Sequence, residues 1–160
     1  MRERLLEREQ TLDADAERAF GFFSRAENLE AITPPWLRFR IVTPTPIEMR
    51  AGALITYRLR LHGIPIRWRT RIESWEPPNG FVDRQLSGPY ALWHHTHTFE
   101  QIGDNRTLMR DRVRYGHRLG PLGAMTEPLV RRDLDRIFDY RRDSIATLLA
   151  EGERRAPERA

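Results

Sequence analysis

Four stretches of this chain alternate between apolar side chains and charged or polar ones, and that rhythm constrains the fold more than any other feature. In WLRFRIV (36–42), Leu37, Phe39 and Ile41 face one way and Arg38 and Arg40 the other. In LITYRLRL (54–61), Ile55, Tyr57, Leu59 and Leu61 oppose Thr56, Arg58 and Arg60. In IRWRTRIE (66–73), Ile66, Trp68, Thr70 and Ile72 oppose three arginines and Glu73. In TLMRDRVRY (107–115), Met109, Asp111, Val113 and Tyr115 oppose Leu108, Arg110, Arg112 and Arg114. A period of two marks strands with one buried and one wet face, the habit of antiparallel sheets. Turn residues separate consecutive strands at Gly63-Ile64-Pro65, Pro77-Pro78-Asn79-Gly80 and Ser87-Gly88-Pro89.

The flanks read differently. Residues 3–12 read as an edge strand, with a charged helix as the alternative. Asp13 or Asp15 caps a helix whose apolar positions Ala16, Ala19, Phe20 and Phe23 recur at spacings of three and four. A second short helix, near 27–32, stops at Thr33-Pro34-Pro35. From about Pro121 a long helical pattern carries Leu122, Met125, Leu129, Ile137, Phe138, Ile145, Leu148 and Leu149, with Pro128 either in its first turn behind a Thr126 cap or at a kink. The order is strand, two short helices, six strands, long helix. It predicts an α+β domain over 1–150, a curved antiparallel sheet of about seven strands wrapped around a C-terminal helix, and a charged, frayed tail at 151–160.

Composition removes several function classes. The chain has 160 residues and no cysteine, so thiolate metal sites, disulfides and cysteine nucleophiles are excluded. All 27 of its Lys+Arg residues are arginine, which excludes a Schiff-base lysine. The N-terminus lacks the apolar core of a signal peptide, and no apolar run is long enough to span a bilayer, so a cytoplasmic location is expected. The net charge of +4 admits an anionic partner. However, a surface for single-stranded nucleic acid interleaves aromatics with basic residues, and here the aromatics share the opposite face. Cross-strand pairing of the arginines with acids such as Glu73 is the expectation, with no nucleic-acid partner.

Several motifs, in this order, resemble one known family. They are Ile32-Thr33-Pro34-Pro35, GALITY (52–57), Trp68-Arg69-Thr70-Arg71-Ile72, Trp75-Glu76-Pro77-Pro78, Phe81-Val82-Asp83, Gln85, Gly88-Pro89-Tyr90 and WHHTHTF (93–99), followed by Asp111, Tyr115 and Arg141. The chain resembles the START-like, or SRPBCC, superfamily of helix-grip proteins, which includes polyketide cyclase/dehydratase-like members, and within it a bacterial ligand-binding branch. The resemblance implies a helix-grip fold with a cavity between sheet and last helix, a hydrophobic small-molecule ligand and no metal or other cofactor. Only some branches of the superfamily are catalytic.

The pleat assigns the faces of the histidine-rich run GPYALWHHTHTFE (88–100). Anchoring Phe99 inside places His97, His95 and Trp93 inside as well, and turns His94 outward. Anchoring Phe81 inside brings Asp83 and Gln85 with it. The inward set Tyr57, Trp68, Asp83, Gln85, Trp93, His95, His97, Asp111 and Tyr115 is therefore the candidate ligand-binding surface. Buried ionisable groups are costly unless paired. The inward polar residues can form a self-satisfied network, orient a greasy ligand, or act as an acid–base unit of His95 or His97 with Asp111. His-x-His with Asp83 or Asp111 also offers a metal geometry, which the resemblance does not imply.

Overall fold

The computed structural model describes residues 2–118 and 120–155, and the side chains among them at 2–118 and 125–152. The elements are β1 (Arg4–Leu12), α1 (Ala16–Phe23), α2 (Asn28–Ala31), a 3-10 turn (Pro35–Leu37), β2 (Arg40–Ile41), β3 (Leu54–Leu61), β4 (Ile64–Glu76), β5 (Gly80–Ser87), β6 (Tyr90–Gly103), β7 (Arg106–His117) and α3 (Gly120–Arg155). The seven strands form one sheet in the order β1-β7-β6-β5-β4-β3-β2. Every pairing is antiparallel. This is the helix-grip architecture.

The alternation decides what lies inside. Ile55, Tyr57 and Leu59 on β3, Trp68, Thr70 and Ile72 on β4, and Met109, Asp111, Val113 and Tyr115 on β7 are all buried. The arginines between them are exposed. Register irregularities between Arg69 and Thr70 and between Ile72 and Ser74 interrupt the β4–β5 ladder, and such bulges bend a strand. The β3–β4 hairpin closes through His62 and Gly63, whose φ values of 49° and 81° are what a two-residue turn matched to the strand twist requires. The turn is thus 62–63, and Ile64 and Pro65 already belong to β4.

Asp15 caps α1 by accepting a 2.7 Å hydrogen bond from the Arg18 amide. The helix buries Ala16, Ala19, Phe20 and Phe23. The long helix α3 buries Leu134, Phe138, Arg141, Ile145 and Leu149. Their spacings of four and three keep them on one face. Met125 and Leu129, expected in that apolar run, are exposed instead. Pro128 lies inside α3 rather than in its first turn, where it removes one main-chain hydrogen bond. The helix continues to Arg155, and residues 156–160 of the expected tail lie outside the described residues.

One strand is much shorter than its alternation suggests. Within 36–42 only Arg40 and Ile41 pair as β2. Pro35 opens a 3-10 turn, and Arg38 at φ 45° ends it, so the chain turns before it can extend. Leu37 and Phe39 are buried all the same.

The outer arginines fall into two groups. Beside β1 they are paired: Arg110 with Glu9 and Glu100, Arg112 with Glu7, and Arg114 with Glu3. Arg71 and Arg84 share Glu73. On the β3–β4 hairpin, Arg58 stands directly opposite Arg67. Among the described residues Arg58, Arg60, Arg67 and Arg69 form no ion pair.

Candidate functional site: a buried histidine–aspartate cluster on a cavity wall

The three adjacent strands β5, β6 and β7 bring four ionisable side chains together. In register, Asp83 faces His95 across β5–β6, and His97 faces Asp111 across β6–β7. The shortest hydrogen bonds from each ring run on the diagonal. His97 Nε2 donates to Asp83 Oδ2 at 2.8 Å, and His95 Nε2 donates to Asp111 Oδ1 at 2.8 Å. Directly across, His97 Nδ1 stands 3.0 Å from Asp111 Oδ1. His95 Nδ1 stands 3.7 Å from Asp83 Oδ2, beyond hydrogen-bond reach. Each carboxylate therefore serves the His pair from its own side.

A fifth group comes from α3. Arg141 Nη2 lies 3.4 Å from His97 Nδ1 and 3.8 Å from Asp111 Oδ1. Its guanidinium also lies over the Phe23 ring at 5.4 Å. Phe81 stacks on His97 with centroids 4.0 Å apart and planes 15° apart, and Phe138 meets His95 edge-on. His95, His97, Asp111 and Arg141 are each less than a tenth exposed.

Burial and neighbours set the charges. Burial, and after it the adjacent His97, hold His95 below the ordinary histidine range despite Asp111. For His97, burial is again the largest influence and works against the charged form, but hydrogen bonds to Asp111 and Asp83 outweigh it and raise the imidazole. Asp111 would be raised by burial alone; the Arg141 charge and the hydrogen bonds of both histidines hold it well below the carboxylate range. Asp83 is likewise lowered against burial, chiefly by its bond from His97. Beside two carboxylates and the Arg141 guanidinium, these influences favour the imidazolium form at His97 and the neutral ring at His95.

The cluster forms part of the wall of a cavity of about 190 Å³. One water needs roughly 10–15 Å³ on the same scale, so the space is of ligand size. Its wall is otherwise mostly apolar: Phe22, Phe23 and Leu29 from the α1–α2 segment, Ile55, Leu59 and Trp68 from β3 and β4, and Leu134 and Phe138 from α3. Tyr57 stacks on Trp68 at 5.8 Å, and Trp68 meets Trp93 edge-on at 5.2 Å. Burial raises the Tyr57 phenol, which keeps it a neutral hydroxyl. Neither the β3–β4 turn nor Gly88-Pro89 lines the cavity, whereas Arg25, Asn28, Met49 and Leu61 do.

Six of the nine candidate residues line this cavity: Tyr57, Trp68, Asp83, Trp93, His95 and His97. The other three do not. Gln85 spends its amide on the turn, donating to the Tyr90 carbonyl at 2.8 Å and accepting from the Tyr90 amide at 3.3 Å. The Tyr115 hydroxyl donates to Glu127 at 3.0 Å. Asp111 sits behind the histidines, at a second, polar cleft between β1 and α3 that Arg8, Gln10 and Arg142 also line. Arg141, absent from the candidate set, lines both spaces. Its sequence signal was a charged residue in step with Leu134, Phe138 and Ile145. His94 points outward, 3.6 Å from Glu73. Ligand atoms of Asp83, His95 and His97 lie within 4.8 Å of one another, close enough for a cation. However, both His97 nitrogens already face carboxylates, and the Arg141 guanidinium supplies positive charge at the same place.

The family of polyketide cyclases/dehydrases and lipid transport proteins matches residues 12–139. The chain belongs to this family. Among solved structures, the Zhui aromatase/cyclase from Streptomyces sp. R1128 superposes with a TM-score of 0.75 at 16% identity, covering 98% of either chain. Norcoclaurine synthase from Thalictrum flavum gives a TM-score of 0.70 at 13% identity, over 94% of this chain and 96% of that one. A START superfamily protein from Mycobacterium smegmatis gives 0.68 at 13% identity, over 90% and 98%. At such identities the likeness concerns the fold. No curated protein matches the chain in sequence. Among the described residues, no helix is long and apolar enough to cross a membrane.

Proposed function

We propose that this protein binds and carries a hydrophobic small molecule in the cavity between the sheet and α3. The observation that carries this reading is the cavity itself, about 190 Å³ of space with a mostly apolar wall and one polar cluster. Burying apolar ligand surface contributes about 2.5 kcal/mol per 100 Å², which drives uptake. The polar wall of Asp83, His95, His97 and Arg141 then orients the ligand. Family membership supports the same reading. Its test is native mass spectrometry of freshly purified protein. A co-purified organic molecule is expected, and Ala26→Phe, which fills the cavity from the α1–α2 segment, should abolish it while the fold persists by circular dichroism. A wild type with no adduct and no uptake of a neutral naphthalene fluorophore would overturn the reading.

One observation favours a second reading, an acid–base enzyme of the cyclase/dehydratase kind. His95 is held neutral and oriented by Asp111 through Nε2, and its Nδ1 makes no hydrogen bond within reach. A neutral imidazole braced by a carboxylate is a general base. In this reading His95 takes a proton next to a ligand carbonyl, and the Arg141 guanidinium, which lines the same cavity, stabilises the developing oxyanion. Turnover of a poly-β-ketone substrate that disappears in folded His95→Gln or His97→Ala supports it, and its persistence in both excludes it.

A further inference from the structure

The polar part of the cavity wall can accept more hydrogen bonds than the protein gives it. Asp83 receives one, from His97 at Oδ2. Its Oδ1 receives none among the described residues, although an ionised carboxylate has room for about four. Packing closes several unpartnered polar atoms off from solvent, but Asp83 Oδ1 is not one of them. Asp83 is also the most open of the four strand residues in the cluster. Its side chain is 16% exposed, against 7% for His95, 4% for His97 and 10% for Asp111. It lines the cavity and not the polar cleft, so it opens toward the cavity.

His95 adds a second acceptor. Asp111 occupies its Nε2 at 2.8 Å, so the neutral ring keeps its proton there and Nδ1 carries a bare lone pair. That nitrogen has no partner either, and packing does not close it off. It stands 3.7 Å from Asp83 Oδ2. Two acceptors cannot bond to each other, but at this separation both can lie about 2.8 Å from one donor placed between them.

Charge decides what kind of donor fits. His97 donates to Asp83, and the Arg141 charge acts on the same carboxylate. A ligand ammonium would have to enter beside both. A ligand carboxylate would meet the free Asp83 oxygen and has no proton to give it. A neutral hydroxyl meets neither objection. The cavity of about 190 Å³ has room for on the order of fifteen water-sized groups, enough for two fused rings between Trp68 and Phe138.

We infer that Asp83 is the residue that selects the ligand, and that it selects an uncharged, mostly apolar molecule whose hydroxyl donates to its carboxylate beside His95 Nδ1. This rests on the cavity-binding reading above and narrows it to a chemical class: neutral alcohols and phenols, rather than hydrocarbons, amines or fatty acids.

Four probes on one ring system test it by titration calorimetry near neutral pH, where phenols are uncharged: 2-naphthol, 2-fluoronaphthalene, 2-naphthoate and 2-naphthylmethylammonium. 2-Naphthol should bind at least about tenfold more tightly than 2-fluoronaphthalene, since only it gives the carboxylate a hydrogen bond. Neither ion should bind more tightly than 2-fluoronaphthalene. In Asp83→Asn, which keeps an acceptor oxygen but loses the charge, the preference for 2-naphthol should shrink several-fold. As a readout independent of that variant's folding, the ¹³C resonance of the Asp83 carboxyl in the wild type should move further with 2-naphthol than with 2-fluoronaphthalene, which brings the same rings. Equal affinity of those two probes, a preference for either ion, a preference retained in full by folded Asp83→Asn, or a carboxyl resonance that does not distinguish the two overturns the inference while leaving apolar binding intact. Failure of all four to bind overturns the cavity-binding reading and this inference together.

Discussion

The imidazole rings of His95 and His97 stand 3.7 Å apart, tilted by 32°. Side chains two residues apart on one strand face would ordinarily be separated by about 7 Å. These two lean together because both reach the same atom, Asp111 Oδ1, at 2.8 and 3.0 Å. Two imidazolium ions at this distance repel, so the pair holds one proton more readily than two. In a ¹⁵N NMR titration of the side chains, one imidazole should therefore titrate below 6.5 and the other above it, with His95 the lower and His97 the upper. A common titration at the ordinary value would contradict the arrangement.

The same split fixes how stability depends on pH. His97 is raised in the folded state, so its contribution is complete below 6.5 and is lost as pH rises through the folded value. His95 is lowered, so its contribution is present above 6.5 and is lost as pH falls through the folded value. Asp83 and Asp111 are also lowered, and their contributions disappear as pH falls below 3.8 through their folded values. Urea denaturation across pH should give a maximum near 6.5, declining on both sides. The alkaline decline should be absent in His97→Gln.

Asp111→Asn should destabilise the fold more than Asp83→Asn. Asp111 accepts from His95, faces His97 Nδ1 and neutralises Arg141, whereas Asp83 has one hydrogen bond, from His97. Breaking a buried ionic group by removing one partner costs about 3–5 kcal/mol. Chemical denaturation should place Asp111→Asn in that range. A loss well under 1 kcal/mol would mean that the cluster is far wetter than described.

Gly80→Ala should weaken the join between β5 and β6. A Cβ at this position would lie 2.3 Å from the His97 carbonyl oxygen, so the strands must part at the residue that carries the site. Overpacking of this kind costs about 1–3 kcal/mol. A lowered denaturation midpoint is expected, with weaker ligand retention, because His97 shifts along with its backbone.

On the outer face, Arg67→Glu should stabilise the β3–β4 hairpin. Arg58 and Arg67 are like charges directly opposite one another, and the substitution turns repulsion into a cross-strand pair, a gain of about 0.2–1 kcal/mol. The gain should fade in high salt. A stabilisation that does not respond to salt would point to some cause other than charge.

Most of the fold was legible before any coordinates. Alternation identified β3, β4 and β7 with Asp111 inward, and the pleat anchored on Phe81 and Phe99 turned Asp83, His95 and His97 inward and His94 outward. Where it failed, a local backbone event intervened: Arg38 in a left-handed conformation cut β2 to two residues. Gln85 and Tyr115 also point inward and are buried, but direction alone does not reveal a partner. The nearest partner of Gln85 is the turn that follows β5, and that of Tyr115 is Glu127 on α3.

What the sequence determined by itself was the facing of side chains, because a period of two is a property of each strand alone. Only the tertiary structure decided which inward groups meet. The β5–β6–β7 register sets the crossed His–Asp bonds, and the docking of α3 brings Arg141 to His97, 44 positions away in the chain. Register and docking are relations between segments, fixed by how whole faces pack. The cavity is the space that this packing leaves open.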